Sequence, residues 1–199
     1  MYLSVGYKYF MRIAITGHTQ GIGKALADVF EQAGHEIVGF SKSQGWDIYQ
    51  EDVQSKIIDE LEHCDMFINN AYMPWAQGNL LKLAYTKWQG TDKVIVNINS
   101  KLGLLEHPPK WAKEYAWNKH IQRHWINEHI LKASPRILNV VLGLVDTKMS
   151  SNLKGKKVQP CDVAQIVFDL LKYRDVVYVQ EIVLDVPNQN WSDVDVENA

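Results

Sequence analysis

The feature that most constrains this chain is the run Thr16-Gly17-His18-Thr19-Gln20-Gly21-Ile22-Gly23, which joins an apolar stretch at 11–16 (MRIAIT) to a helix-compatible stretch at 21–33 closed by Gly34. Such a join reads as strand, tight turn, helix. Gly17 permits the reversal, Gly21 lets backbone approach a pyrophosphate, and Gly23 lets the helix lie close to the strand. The helix N-terminus then offers N–H donors and partial positive charge to phosphates. Three glycines alone would serve chain reversal equally well. Their strand–turn–helix setting favours dinucleotide binding.

The rest of the chain repeats the alternation. Strands are expected at 35–40, 66–68, 94–98, 137–142 and 182–185. Helices are expected at 51–62, at 111–131, from Pro160 to 173, and in an abbreviated form around 80–88. Alternating strands and helices imply right-handed crossovers and a parallel sheet covered on both faces. The expected fold class is therefore α/β, a doubly wound parallel sheet (Rossmann fold) in three α/β/α layers. A chain of 199 residues fits one domain, 1–199, with 1–10 read as an N-terminal extension and 187–199 as a mobile acidic tail.

Further motifs follow the glycine turn in order. Asn69-Asn70-Ala71 ends one apolar run, and Asn97-Ile98-Asn99-Ser100 ends the next. Tyr115-Ala116-Trp117-Asn118-Lys119 lies on the long helix, and Leu142-Gly143-Leu144-Val145-Asp146-Thr147-Lys148-Met149 follows a later strand. This ordered set resembles the short-chain dehydrogenase/reductase family from residue 11 to 186: its G-x-x-x-G-x-G turn, its Asn-Asn-Ala-Gly turn with Tyr72 replacing the glycine, its serine, its Tyr-x-x-x-Lys, and its Pro-Gly-x-Val-x-Thr-x-Met segment with Leu142 replacing the proline.

The resemblance implies an NAD(P)-dependent oxidoreductase passing a hydride between a nicotinamide cofactor and a carbonyl or secondary alcohol. Ser100, Tyr115 and Lys119 are its implied catalytic residues. The cofactor residues expected are Gly17, Thr19, Gln20, Gly21, Ile22, Gly23, Ser41, Lys42, Asp47, Asn70, Ala71, Tyr115, Lys119, Val145 and Thr147. Residue chemistry agrees, because Tyr115 and Lys119 are four apart and share a helix face. A phenol of pKa about 10 needs a neighbouring ammonium and an oxidised nicotinamide to act near neutrality. Taken alone, a Tyr and a Lys at this spacing read as a surface pair. Ser100 and the glycine turn favour catalysis.

Departures from the family pattern bear on the alternatives. Residues 71–94 are short, and the family's fourth catalytic residue, an asparagine on the helix there, has no counterpart; Asn79 is a poor candidate. Residues 41–46 leave no space for a full helix before Asp47-Ile48. Asp47 reads equally as an adenine-side residue and as an acidic residue opening the next helix. The shortened middle keeps open a dinucleotide-binding sensor or scaffold without turnover. The short path to Asp47 keeps open a nucleotide-sugar epimerase or reductase, although a separate sugar domain has no room.

Smaller features set expectations about cofactor, partners and place. Phe40-Ser41-Lys42, in place of an acidic residue at the end of the second strand, points to NADP over NAD. Trp111, Trp117 and Trp125 with Ile121 and Leu131 overload one helix with apolar surface, which suggests a homo-oligomer, most simply a dimer. His120 and His124 have metal-ligand spacing without the glutamate of a zinc helix, so no metal is expected. Lys148, Lys154, Lys156 and Lys157 read as either a solvated loop or a lid favouring an anionic substrate. A net charge of −2 argues against nucleic acid, and no apolar run reaches membrane-spanning length. Two distant cysteines and no secretory leader fit a cytoplasmic protein acting on a small molecule.

Overall fold

The structure is a computed structural model that describes residues 10–130, 134–188 and 194. Six strands, β1 (Arg12–Thr16), β2 (Glu36–Phe40), β3 (Met66–Asn69), β4 (Val94–Ser100), β5 (Arg136–Leu142) and β6 (Glu181–Leu184), form one sheet in the order β2-β1-β3-β4-β5-β6. All pairings are parallel. The chain winds outwards in both directions from the β1/β3 seam, as in the doubly wound order 3-2-1-4-5-6, but with one strand beyond β1 where that order has two, and three beyond β3 where it has two. The ten residues between β2 and the next helix hold a short 3-10 turn instead. Trp46 covers that gap, its ring meeting Phe40 edge-on at 4.8 Å.

Among the described residues five helices follow the strands: α1 (Gly21–Gln32), α2 (Glu51–Glu60), α3 (Ala76–Lys87), α4 (Lys113–His129) and α5 (Pro160–Leu171). Side chains alternate across a strand, so each strand feeds both faces. Ile13 and Ile15 join Leu26, Phe30, Val163 and Val167 of α1 and α5 on one side. Ala14, Phe67, Ile95 and Ile137 join Ile57, Leu80 and Ile126 of α2, α3 and α4 on the other. The expected three-layer α/β/α architecture is what the chain adopts. The expected extension through residue 9, Leu131, and most of the tail lie outside the described residues; Val194 of the tail is buried.

α3 departs from expectation in a way that matters. It starts at Ala76, a turn earlier than the helix expected around residue 80. Trp75 makes the bend, with φ of 63°, a conformation that costs a non-glycine residue roughly 1–3 kcal/mol. Its N–H donates to the buried Asn118 Oδ1 at 3.1 Å, which ties the start of α3 to α4. That early start brings Gln77 over the sheet.

Candidate active site

The C-terminal ends of the strands open on one large cleft of about 620 Å³. At its floor the glycine turn is latched to the Asn-Asn-Ala turn. Thr16 Oγ1 accepts from the N–H groups of Asn70 and Ala71 at 2.9 and 3.0 Å, and Asn70 Nδ2 donates back to Thr16 O at 3.0 Å. Gly17 and Gly21 have φ of 72° and 56°, a region open chiefly to glycine. A Cβ on Gly23 would fall 2.2 Å from Gly17 O, so only hydrogen lets α1 sit this close. Gln20 makes no side-chain cap on α1, and the first turn carries no acid, so its N–H groups are left for an anion.

Of the residues singled out from the sequence, Gly17, Thr19, Gln20, Gly21, Ile22, Ser41, Lys42, Asp47, Asn70, Ala71, Ser100, Tyr115, Lys119, Val145 and Thr147 all line this cleft. Gly23 lies behind the glycine turn as a packing contact. At the β2 end, Ser41 Oγ shares hydrogen bonds with Thr19 Oγ1 at 2.8 Å and Ser43 Oγ at 3.0 Å. Lys42 Nζ lies 2.7 Å from Asp47 Oδ2. Hydrogen bonding from that ammonium, then from the Tyr49 N–H, holds the Asp47 carboxyl below the usual range. Asp47 does not open α2, whose N-cap is Gln50.

At the other end, Ser100 closes β4 while Tyr115 and Lys119 reach in from α4. Burial pushes the Tyr115 phenol up to about 12, against a hydrogen bond with Ser100 that pulls it down. Burial brings the Lys119 ammonium down to about 7. Lys119 is 2% exposed, donates to Ile98 O at 2.8 Å and Gln77 Oε1 at 2.6 Å, and has the rings of Tyr72 and Tyr115 at 5.3 and 5.5 Å. Tyr72, standing where the resemblance expects glycine, meets the Tyr115 ring edge-on at 4.6 Å.

Sequence reasoning missed the polar layer beneath this pair. Asn69, Asn97, Asn139 and Glu181 sit opposite one another on four adjacent strands. Asn69 Nδ2 donates to Asn97 Oδ1 at 3.0 Å, Asn97 Nδ2 to Asn139 Oδ1 at 3.3 Å, and Asn139 Nδ2 to Glu181 Oε2 at 2.8 Å. Arg123 closes the row with a bidentate pair to Glu181. Asn99 extends it towards the site, accepting from the Ser100 N–H at 2.8 Å and donating to Lys119 O at 3.4 Å. Amides two residues apart at strand ends, inside otherwise apolar runs, are the signal that could have revealed it. Asn79 is exposed and takes no part.

The remaining expectations divide. Of the loop lysines, Lys148 lines the cleft, Lys157 is tied to Ser150 O at 2.7 Å, and Lys154 and Lys156 are exposed. Trp111 and Trp117 are exposed, whereas Trp125 packs on the α3/α4 side of the core and stacks on His129. Among the described residues no group of three His, Cys, Asp or Glu could hold a metal, and no helix is long and apolar enough to cross a membrane.

A nicotinamide dinucleotide fits the residues present: glycine-only backbone at the turn, uncapped N–H groups at α1, and a paired phenol and amine at the far end of the same cleft. No family model matches the sequence, and no curated protein does. Solved structures do. An alcohol dehydrogenase from the archaeon Thermococcus sibiricus complexed with 5-hydroxy-NADP is similar over 92% of this chain and 99% of its own, with a TM-score of 0.74 at 18% identity. A short-chain dehydrogenase from Burkholderia cenocepacia in complex with NADP is similar over 89% of each chain, with a TM-score of 0.73 at 15% identity. A 3-alpha-hydroxysteroid dehydrogenase from Pseudomonas sp. complexed with NADH covers 88% of this chain and 94% of its own, at 0.68 and 18%. The fold of this chain is that of the short-chain dehydrogenases/reductases.

Proposed function

We propose that this chain is a shortened short-chain dehydrogenase/reductase that transfers hydride between a nicotinamide dinucleotide and a carbonyl or secondary alcohol. The observation that carries the reading is the convergence of Ser100, Tyr115 and the buried Lys119 in the cleft that also holds the uncapped end of α1. The glycine turn, Asn70-Ala71 and Val145–Thr147 would hold the dinucleotide, which supplies the hydride. Tyr115 gives its phenolic proton to a carbonyl oxygen or takes one from an alcohol. Ser100 steadies that oxygen. Lys119, when protonated, stabilises the phenolate and lowers its pKa.

Ser41 and Lys42 favour NADP over NAD, and the Asp47 carboxylate beside Lys42 keeps that preference small. We further propose a cytoplasmic homodimer resting on the exposed Trp117 side of α4, which sedimentation at micromolar concentration tests; a monomer would refute it. The function is tested by following oxidation of NADPH with a panel of ketones and aldehydes. Turnover of one class supports it. Tight NADPH binding with no turnover of any would instead support the sensor reading.

A further inference from the structure

Among the described residues no carboxylate pairs with the buried Lys119 amine, so neutral groups hold it, the Ile98 carbonyl and one side chain. That side chain is Gln77, and its amide can be oriented in only one way. Nε2 donates to Asn69 O at 3.0 Å and Ile98 O at 2.9 Å, two groups that can only accept. Oε1 is therefore turned towards Lys119 Nζ, 2.6 Å away. Asn69 Nδ2 in turn donates to Gln77 O at 2.9 Å, a reciprocal clamp between the end of β3 and the first turn of α3. Gln122 Nε2 adds a longer contact to the same Oε1 at 3.4 Å. A leucine at this fully buried position would pack equally well, yet it would strand the ammonium and Asn69 O without that partner.

We propose that Gln77 is a positioning residue for the Tyr115–Lys119 pair, holding the Lys119 ammonium in place and in its charged form through a direct amide contact. The inference rests on the reading of that pair as catalytic. Gln77 acts on substrate only through Lys119. Its carbonyl oxygen favours the protonated amine against the desolvation that opposes it, while the phenols of Tyr72 and Tyr115 are the titratable side chains whose rings face the ammonium. Charge on Lys119 is what stabilises a Tyr115 phenolate. Losing the contact moves the proton balance of the pair from phenolate and ammonium to phenol and free amine.

The test is an NMR titration of the full chain carrying ¹³Cε-labelled lysine, with Lys119 assigned from its absence in Lys119→Met. Gln77→Met keeps the volume and removes the acceptor, and the Lys119 midpoint should fall by a pH unit or more. Gln77→Glu places a carboxylate there, and the midpoint should rise by a unit or more. With a substrate in hand, Gln77→Met should also lower kcat for alcohol oxidation about tenfold at pH values above the wild-type Lys119 midpoint, with KM nearly unchanged and the difference vanishing at pH values below the variant's midpoint, and Gln77→Glu should restore part of it. Midpoints that do not move, or that move the same way in both variants, would overturn the proposal and leave Gln77 as core filler. Opposite shifts in a chain that turns nothing over would refute the catalytic reading and leave the positioning role standing.

Discussion

The two ends of the cleft are built by different means. The β1–α1 end is mostly backbone: two positive-φ glycines, uncapped N–H groups, and one hydroxyl, Thr16 Oγ1, that latches two turns together. The α3–α4 end is mostly side chain: a buried amine, a phenol, and amides drawn from three strands and two helices. Backbone sites are specified by a few adjacent residues. Side-chain sites need every element in register, and small errors at that end should cost more chemistry than binding.

The largest expected effect follows from that contrast. Tyr115→Phe should lower turnover by about 10²–10⁴-fold while NADPH affinity and melting temperature stay near wild type, since the phenol is needed for a proton and not for packing. A variant keeping most of its rate would remove Tyr115 from the chemistry. The backbone end should respond in the opposite sense. Gly23→Ala places a methyl 2.2 Å from Gly17 O and 2.5 Å from Asn70 Nδ2, both parts of the latch. It should destabilise the fold by about 1–3 kcal/mol and weaken NADPH binding, with residual activity recovered at saturating cofactor. Unchanged affinity would show that α1 does not need its close seat.

How much of this was legible in the sequence follows the same division. Apolar runs and glycine punctuation marked all six strands and the latch motifs, because each is a local pattern of a few residues. The cleft-lining residues of the glycine turn, β2 end and α4 were legible for the same reason. Gln77 was not. Its role depends on Trp75 adopting a left-handed turn that starts α3 early, and nothing local favours a tryptophan there. The Asn69–Asn97–Asn139–Glu181 row was also hidden, since three pairings must be known before four residues, each ordinary alone, become neighbours.

A smaller effect tests what the side-chain end costs the fold. Lys119 titrates near 7 when folded, against an ordinary value of 10.5. Between those values the unfolded chain holds the extra proton, so this group makes stability rise with pH, by at most about 1.4 kcal/mol per unit. Below pH 7 the burden of the buried ammonium is fully present. Denaturant unfolding at pH 6.5, 7.5 and 8.5 should show that rise in wild type and lose it in Lys119→Met. Parallel curves would mean Lys119 is not buried as a strained cation.

The smallest effect is expected at the β2 end. Asp47→Asn should free Lys42 and widen the NADPH preference up to about tenfold, near the 1.4 kcal/mol of one added charge contact. Lys42→Ala should abolish it. Equal NADPH and NADH affinities in all three proteins would remove these residues from cofactor choice.

Whether this cleft is a working dinucleotide site can be read by titrating the protein with NADPH and following energy transfer from tryptophan, since Trp46 and Trp111 line the cleft. A working site gives saturable binding at one site per chain, tighter for NADPH than for NADH and weakened by Gly23→Ala. Absence of saturable binding by either cofactor, in a chain shown to be folded, would contradict the reading of the cleft as such a site.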